Sequence, residues 1–330
     1  MKIKLIISSL LFLIFTTLLV GILYISAIKT PLNSEGKTVI INANKNTFSG
    51  VIAENSSKFN KKIFIKLYNR FNDVNISVKQ GQYEFPSDIS LKEVISALET
   101  GKYNTSIKKV TIPEGYTLEQ IAETLDKNEI VGSEEFMMAC KNYPLPSYIK
   151  RNELRRYGLE GFLFPDTYIF EKGMNANNVI SIMLNRLDDV FSEIETERGI
   201  KISDSEKDRI IIKASVIERE VSENDEKFKV SSVIDNRLKI GMKLQIDATV
   251  LYAMGVHKDR VFYKDLKTPS KYNTYYTDGL PIGPISNPGK DSIEAAIFPD
   301  KTEYIYYMTK DGINHEFFEE YKDFLEYKNS

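Results

Sequence analysis

Apolar residues in 205–221, SEKDRIIIKASVIEREV, recur with the period of an α-helix. Ile210, Ala214, Ile217 and Val221 fall at i, i+4, i+7 and i+11 and form one face. Ile211, Ile212 and Val216 carry apolar surface to other sides, so the spacing predicts a helix buried on several flanks. Glu218 is placed beside this arc, while Arg219 and Glu220 point elsewhere. A carboxyl held among apolar groups resists ionisation, which suits a general acid. The alternative is a structural ion pair with Arg237 or Lys213, and the helix alone favours that pair.

The same patterning organises the rest of the chain. Residues 5–28 hold no charge and would make about 36 Å of helix, enough to cross a bilayer core. Lys2, Lys4 and the amino terminus precede this run, which favours a cytoplasmic N-terminus. The Ser26-Ala27-Ile28 sequence is a poor cleavage site, so a retained anchor is expected over a signal peptide. Residues 38–43 read as a strand, 61–71 as a helix, and 75–85 as strand and turn. Ser90 with Glu93, and Thr117 with Gln120, form two capping boxes that start short amphipathic helices. Helices are also expected at 179–194 and 225–240, the latter stopped by Gly241. Residues 159–170 read as a core strand with a turn or as a cleft lining. Asp247 and Asp291 stand where helix caps are expected, and 303–318 reads as a hairpin around Asp311 and Gly312. The loop at 271–289 is stiffened by Gly279, Gly283, Gly289, Pro281, Pro284 and Pro288, and carries Tyr272, Asn273, Thr274, Tyr275 and Asn287.

Composition narrows the chemistry. The 330 residues suffice for two or three domains. A net charge of −2 supplies no general pull toward nucleic acid. One cysteine, Cys140, excludes an internal disulfide, and with two histidines it leaves too few ligands for a site of four His and Cys, so no metal or cofactor is expected. Carboxylates, hydroxyls and amides remain. With 19 Tyr and 18 Phe, an extracytoplasmic chain of this kind suits a carbohydrate. Glycosidic cleavage needs an acid, and most hydrolases add a second carboxylate, for which Asp247, Asp166 and Asp278 are candidates.

The segments IPEGYTLEQIA, LEGFLFPDTY, ASVIERE, VIDNRLKIGMKLQIDATVLYAMG and YNTYYTDGLPIGPISNPG resemble the endolytic murein transglycosylase (MltG, YceG-like) family. This likeness reverses the preference for a merely structural Glu218. It implies an α+β fold with a transmembrane helix at 1–29, a small LysM-like α/β subdomain at 30–145 and a larger mixed α+β catalytic domain at 146–330. It implies a lytic transglycosylase anchored in the cell membrane with its bulk extracytoplasmic, acting on peptidoglycan glycan strands, with peptidoglycan synthases as further partners. Glu218 takes the place of the family's catalytic acid. Gln245, Asp247, Tyr272, Asn273, Tyr275 and Asn287 match polar motif positions and would shape the substrate cleft; for Asp247 a cap, and for the Tyr–Asn pair loop packing, are the local alternatives. Ala248 and Ile282 stand where many family members have Pro. A muramidase-type hydrolase and a non-catalytic wall-binding or scaffold protein are the rival functions.

Overall fold

The computed structural model describes residues 2–29, 39–55, 68, 74, 76–86, 89–221, 223–255, 261–310 and 314–330. The chain forms two compact units, Met1–Lys108 and Lys109–Ser330. The first unit holds helix α1 (Lys2–Lys29), strand β1 (Val39–Ala43), α2 (Phe48–Glu54), β2 (Gly81–Phe85) and α3 (Leu91–Thr100). In β1, Val39, Ile41 and Ala43 are buried and the residues between them are exposed, the two-residue period of a half-buried strand. β1 and β2 pair antiparallel, with Val39 opposite Phe85 and Ala43 opposite Gly81. Phe48, Val51, Tyr83, Phe85, Val94 and Leu98 join the same core. The Ser90–Glu93 capping box starts α3, and Gly101 at φ 82° ends it.

Only the side chains of residues 12–22, 24, 25 and 29 are described in α1, so the uncharged run at 5–28 is covered in part. Among the described residues, no helix is long and apolar enough to cross a membrane. The helix expected at 61–71 and the turn at Asp311 and Gly312 lie outside the described residues.

The second unit is Lys109–Ser330. Strand β3 (Ile107–Thr111) forms a two-stranded sheet with β4 (Thr167–Glu171). Between them lie α4 (Leu118–Lys127) and α5 (Ser133–Asn142). Leu118, Ile121, Leu125, Phe136 and Cys140 are buried in the same core as the helices that follow. Thr117 and Gln120 form the second capping box. Then come α6 (Ala176–Arg198), α7 (Asp204–Glu220), α8 (Asn224–Lys239), α9 (Asp247–Met254) and α10 (Lys290–Ile297). β5 (Tyr306–Thr309) pairs antiparallel with β6 (His315–Phe318), and α11 (Tyr321–Asn329) closes the chain.

Helix α7 is the centre of this unit. Every residue from Ile211 through Ile217 is buried, so neighbours cover it all round. α10 and α8 pack along it. The loop at 271–289 lies on it through polar contacts as well. Ser215 Oγ accepts from Ile285 N at 3.1 Å, and Ser286 Oγ donates to Ser215 O at 3.1 Å. A mid-helix serine thus fixes the height at which the loop crosses.

Two expected caps are placed differently. Ile246 is the residue before α9, and Asp247 already sits in the first helical turn. Its carboxylate accepts from Tyr275 Oη at 2.7 Å. Gly289, not Asp291, precedes α10. In both cases the site before the helix is set by the incoming loop, which leaves the aspartate to favour the helix dipole from inside the first turn.

Candidate active site

Glu218 lies in the last turn of α7, with its side chain 9% exposed. Three donors converge on one of its oxygens. Ser292 Oγ donates to Oε2 at 2.6 Å, the Gly289 amide at 3.1 Å, and Lys227 Nζ at 3.4 Å. Among the described residues no hydrogen bond reaches Oε1. Two of the donors come from the N-terminus of α10, where unpaired amides and the helix dipole attract negative charge. The partner of Glu218 is therefore Lys227 of α8. The expected partners are used elsewhere: Lys213 pairs with Asp235 at 2.8 Å, and Arg237 donates to the carbonyls of Ile305 and Leu244.

A second carboxylate stands in the same corner, at Glu114. Its loop is laced to the 271–289 loop by paired backbone bonds. Gly115 N donates to Asn287 O at 2.9 Å, and Asn287 N donates to Tyr116 O at 2.8 Å. Gly115 packs on Glu218, since a Cβ there would lie 3.6 Å from Glu218 Cγ. Partial burial, and next the charge of Glu218, push the Glu114 carboxyl above the usual carboxylate range. None of the expected second carboxylates occupies this place. Asp166 is bound to Arg186 at 2.7 Å, Asp247 to Tyr275, and Asp278 has no contact with this corner among the described bonds. Sequence reading passed over Glu114 because its neighbours read as the approach to a capped helix; the signal lay in the IPEGY segment itself.

The remaining expected site residues divide by exposure. Asn287 is fully buried. Its Nδ2 donates to Tyr116 O and Glu160 Oε1, and its Oδ1 accepts from Leu163 N. Asn273 is also fully buried, with Nδ2 on the carbonyls of Leu266 and Thr268 and Oδ1 accepting from Tyr275 N. Tyr272 is 6% exposed; its Oη accepts from Arg156 N, and its ring packs on Tyr252 at 4.8 Å. The polar atoms of these three bond inside the protein and frame the loop. Gln245 and Asp247 are exposed and Tyr275 is half-buried. Gln245 holds φ 54°, an unusual conformation for a side-chain-bearing residue.

Two cavities of about 500 Å³ flank α9 and meet at Leu251. One is lined by Asp247, Tyr275, Phe262 and Tyr263. The other is lined by Thr117, Glu119, Arg156, Arg219 and Ile285, immediate chain neighbours of the Glu114 and Glu218 corner among them. Glu218 lines neither. Among the described residues there is no cluster of His, Cys, Asp and Glu that would hold a metal ion.

Beneath this corner lies Glu160, fully buried. It accepts from Leu118 N and Asn287 Nδ2 on one oxygen and from Tyr252 Oη on the other, at 3.0 to 3.1 Å. Burial pushes its carboxyl up to about 8, against the opposing pull of the Tyr252 hydroxyl. A carboxyl with a raised folded pKa binds its proton more tightly when folded. Its contribution is therefore full below the unfolded value of 4.5 and is lost as pH rises toward about 8. Glu160→Gln keeps the neutral shape without the titration. Thermal unfolding should show similar stability for both proteins near pH 4.5 and a more stable variant near pH 8.5; parallel curves would contradict this.

Residues 41–330 match the family model described as YceG-like family. The chain belongs to the YceG-like family. A relative from Bacillus subtilis (strain 168), named endolytic murein transglycosylase, is 32% identical over 87% of this chain and 83% of its own length. A protein of the same name from Streptococcus pneumoniae serotype 2 (strain D39) is 29% identical over 74% of this chain, which spans about half, 48%, of that relative. A crystal structure of a putative yceG-like protein from Listeria monocytogenes superposes with a TM-score of 0.59 at 28% identity. It covers 88% of this chain and 98% of its own. The mixed α+β architecture described above is thus the YceG-like fold. Within it the ASVIERE, YNTYYTDGLPIGPISNPG and IPEGYT segments, far apart in sequence, come together around Glu218.

Proposed function

We propose that this YceG-like protein is a peptidoglycan lytic transglycosylase with Glu218 as its acid and base. The observation that carries the reading is the division of labour on one carboxyl group. Oε2 is held by Ser292, Gly289 and Lys227, while Oε1 receives no bond among the described residues. A carboxyl pinned at one oxygen can gain and lose a proton at the other without moving. Oε1 would protonate the oxygen between N-acetylmuramic acid and N-acetylglucosamine. It would then take the proton of the muramic 6-hydroxyl as that oxygen closes on C1 to give a 1,6-anhydro end. The substrate supplies its own nucleophile, so the protein's task is to orient it.

Four features support the finer parts of the reading. The names of the Bacillus and Streptococcus relatives point to the murein strand. Asp247 and Tyr275 offer hydrogen-bonding groups beside the exposed rings of Phe262 and Tyr263, and Gln245 is exposed. Phe12, Leu13, Phe15, Leu18 and Val20 are exposed on α1, which suits a membrane anchor with the remaining chain extracytoplasmic. The two capped helices that follow extended segments suit LysM-like glycan contact, and an anchored position beside the bilayer would bring the chain near peptidoglycan synthases and nascent strands.

Glu114 favours one second reading, a muramidase-type hydrolase, because an added carboxylate could activate water. A scaffold protein would bind strands without shortening them. Incubation of purified glycan strands with the full chain in detergent separates these classes: strand shortening is expected, and retention without shortening would overturn the enzyme reading. Ser292→Ala removes the shortest of the three donors. It should slow cleavage about tenfold while leaving strand affinity unchanged, measured as a fall in kcat at constant KM. An unchanged kcat would contradict the role given to Oε2.

A further inference from the structure

We propose that Glu114 is a positioning residue of the Glu218 corner, and that the two carboxyls hold and release one proton as a pair. The inference rests on the transglycosylase reading for its activity assay and on geometry for its content.

Gly289 lies between the two acids. Its amide holds Glu218 Oε2 from one side. From the other side the Glu114 carboxyl fills the space that a side chain at 289 would need. A Cβ built on Gly289 would stand 2.0 Å from Glu114 Oε1 and 2.1 Å from Glu114 Cδ. The backbone at 289 is extended enough for any residue, so the glycine answers to Glu114 and not to a turn. Gly115, the next residue, touches Glu218 and places Arg219 beside it. The two acids are therefore separated by a single residue's backbone.

The charges facing this pair are few. Glu218 and Arg219 come from α7, Lys227 from α8 and Asp291 from α10. Lys227 draws the Glu114 proton off, whereas Glu218 and Asp291 hold it on. One cation cannot serve two ionised carboxylates at this spacing as well as it serves one. Such pairs give up protons in two steps that belong to both groups. Glu114 also differs from Glu218 in access, for it is exposed to solvent. It can exchange with bulk water while Glu218 stays pinned. For a reaction in which one carboxyl must begin protonated and end protonated, a neighbour that keeps a proton in the corner extends the working range to higher pH.

The test is the pH profile of strand cleavage by the full chain carrying Glu114→Gln. The alkaline limb of kcat/KM should move to lower pH by about one unit, because the neighbouring carboxyl that keeps a proton in the corner is gone. Gly289→Ala should act in the same direction, since its Cβ displaces the flexible end of Glu114 without removing it. A purely structural Glu114 would lower the whole profile and leave its shape intact, and a superimposable shape overturns the proposal. A carboxyl ¹³C titration of Glu114 gives the same answer without any turnover. Two steps in the unaltered protein and one in Glu218→Gln support the pair; identical titrations refute it. Failure of strand cleavage by the unaltered chain, with the titration coupling present, would sink the enzymatic reading alone.

Discussion

Glu218→Gln is expected to lower the rate of strand cleavage by about 10³-fold or more while the protein still folds and binds strands. Glutamine offers an oxygen to Ser292 and Gly289 but has no proton to give. The structural cost is confined to Lys227, which is 2% exposed and loses its anionic partner. A buried cation left alone is costly, but Glu114 still faces Lys227. The variant should keep the circular dichroism of the unaltered chain and melt a few degrees lower. Retained cleavage at near-normal rate would remove Glu218 from the mechanism. Loss of strand binding would instead make it a binding residue.

Gly161→Ala is expected to be the most destabilising single methyl that can be added near the site. Gly161 has φ 88°, and a Cβ there would lie 2.4 Å from Pro284 Cβ and 2.9 Å from Ile211 Cγ2. Both neighbours are rigid. Pro284 belongs to the stiff loop on α7, and Ile211 is fully buried in that helix. The strain of a left-handed backbone adds to the overlap. A loss of about 3 kcal/mol or more is expected, read as a lowered midpoint in urea unfolding. Activity should fall with it, because the displaced loop carries Gly289 and leads into Ser292. A midpoint within error of the unaltered protein would mean that the 159–164 turn and the loop are not packed as described.

What the sequence made legible is what local chemistry decides. The alternation in β1, both capping boxes and the all-round apolar character of α7 depend on residues a few positions apart. So does the stiffness of the 271–289 loop. What stayed hidden is set by long-range closure. Glu114 meets the Glu218 corner because Gly115 N donates to Asn287 O and Asn287 N to Tyr116 O, across more than half the chain. The internal partners of Asn287 and Asn273 were not legible, because an amide on a loop is equally suited to water and to backbone, and burial is a property of the whole fold. Lys227 outcompeted Lys213 and Arg237 because α8 folds back along α7 with its first turns at the level of Glu218. The final helix α11 gave no distinct periodic signal, and none of its residues is fully buried.

The proposed chemistry stands on a nucleophile that comes from the sugar itself. Digestion of purified strands by the full chain in ¹⁸O-enriched water, with mass spectrometry of the new ends, reads this directly. The proposed reaction leaves 1,6-anhydro ends, lighter by one water and free of ¹⁸O. Reducing ends carrying ¹⁸O at C1 would show that water is the nucleophile, and would turn the corner of Glu218 and Glu114 into that of a hydrolase.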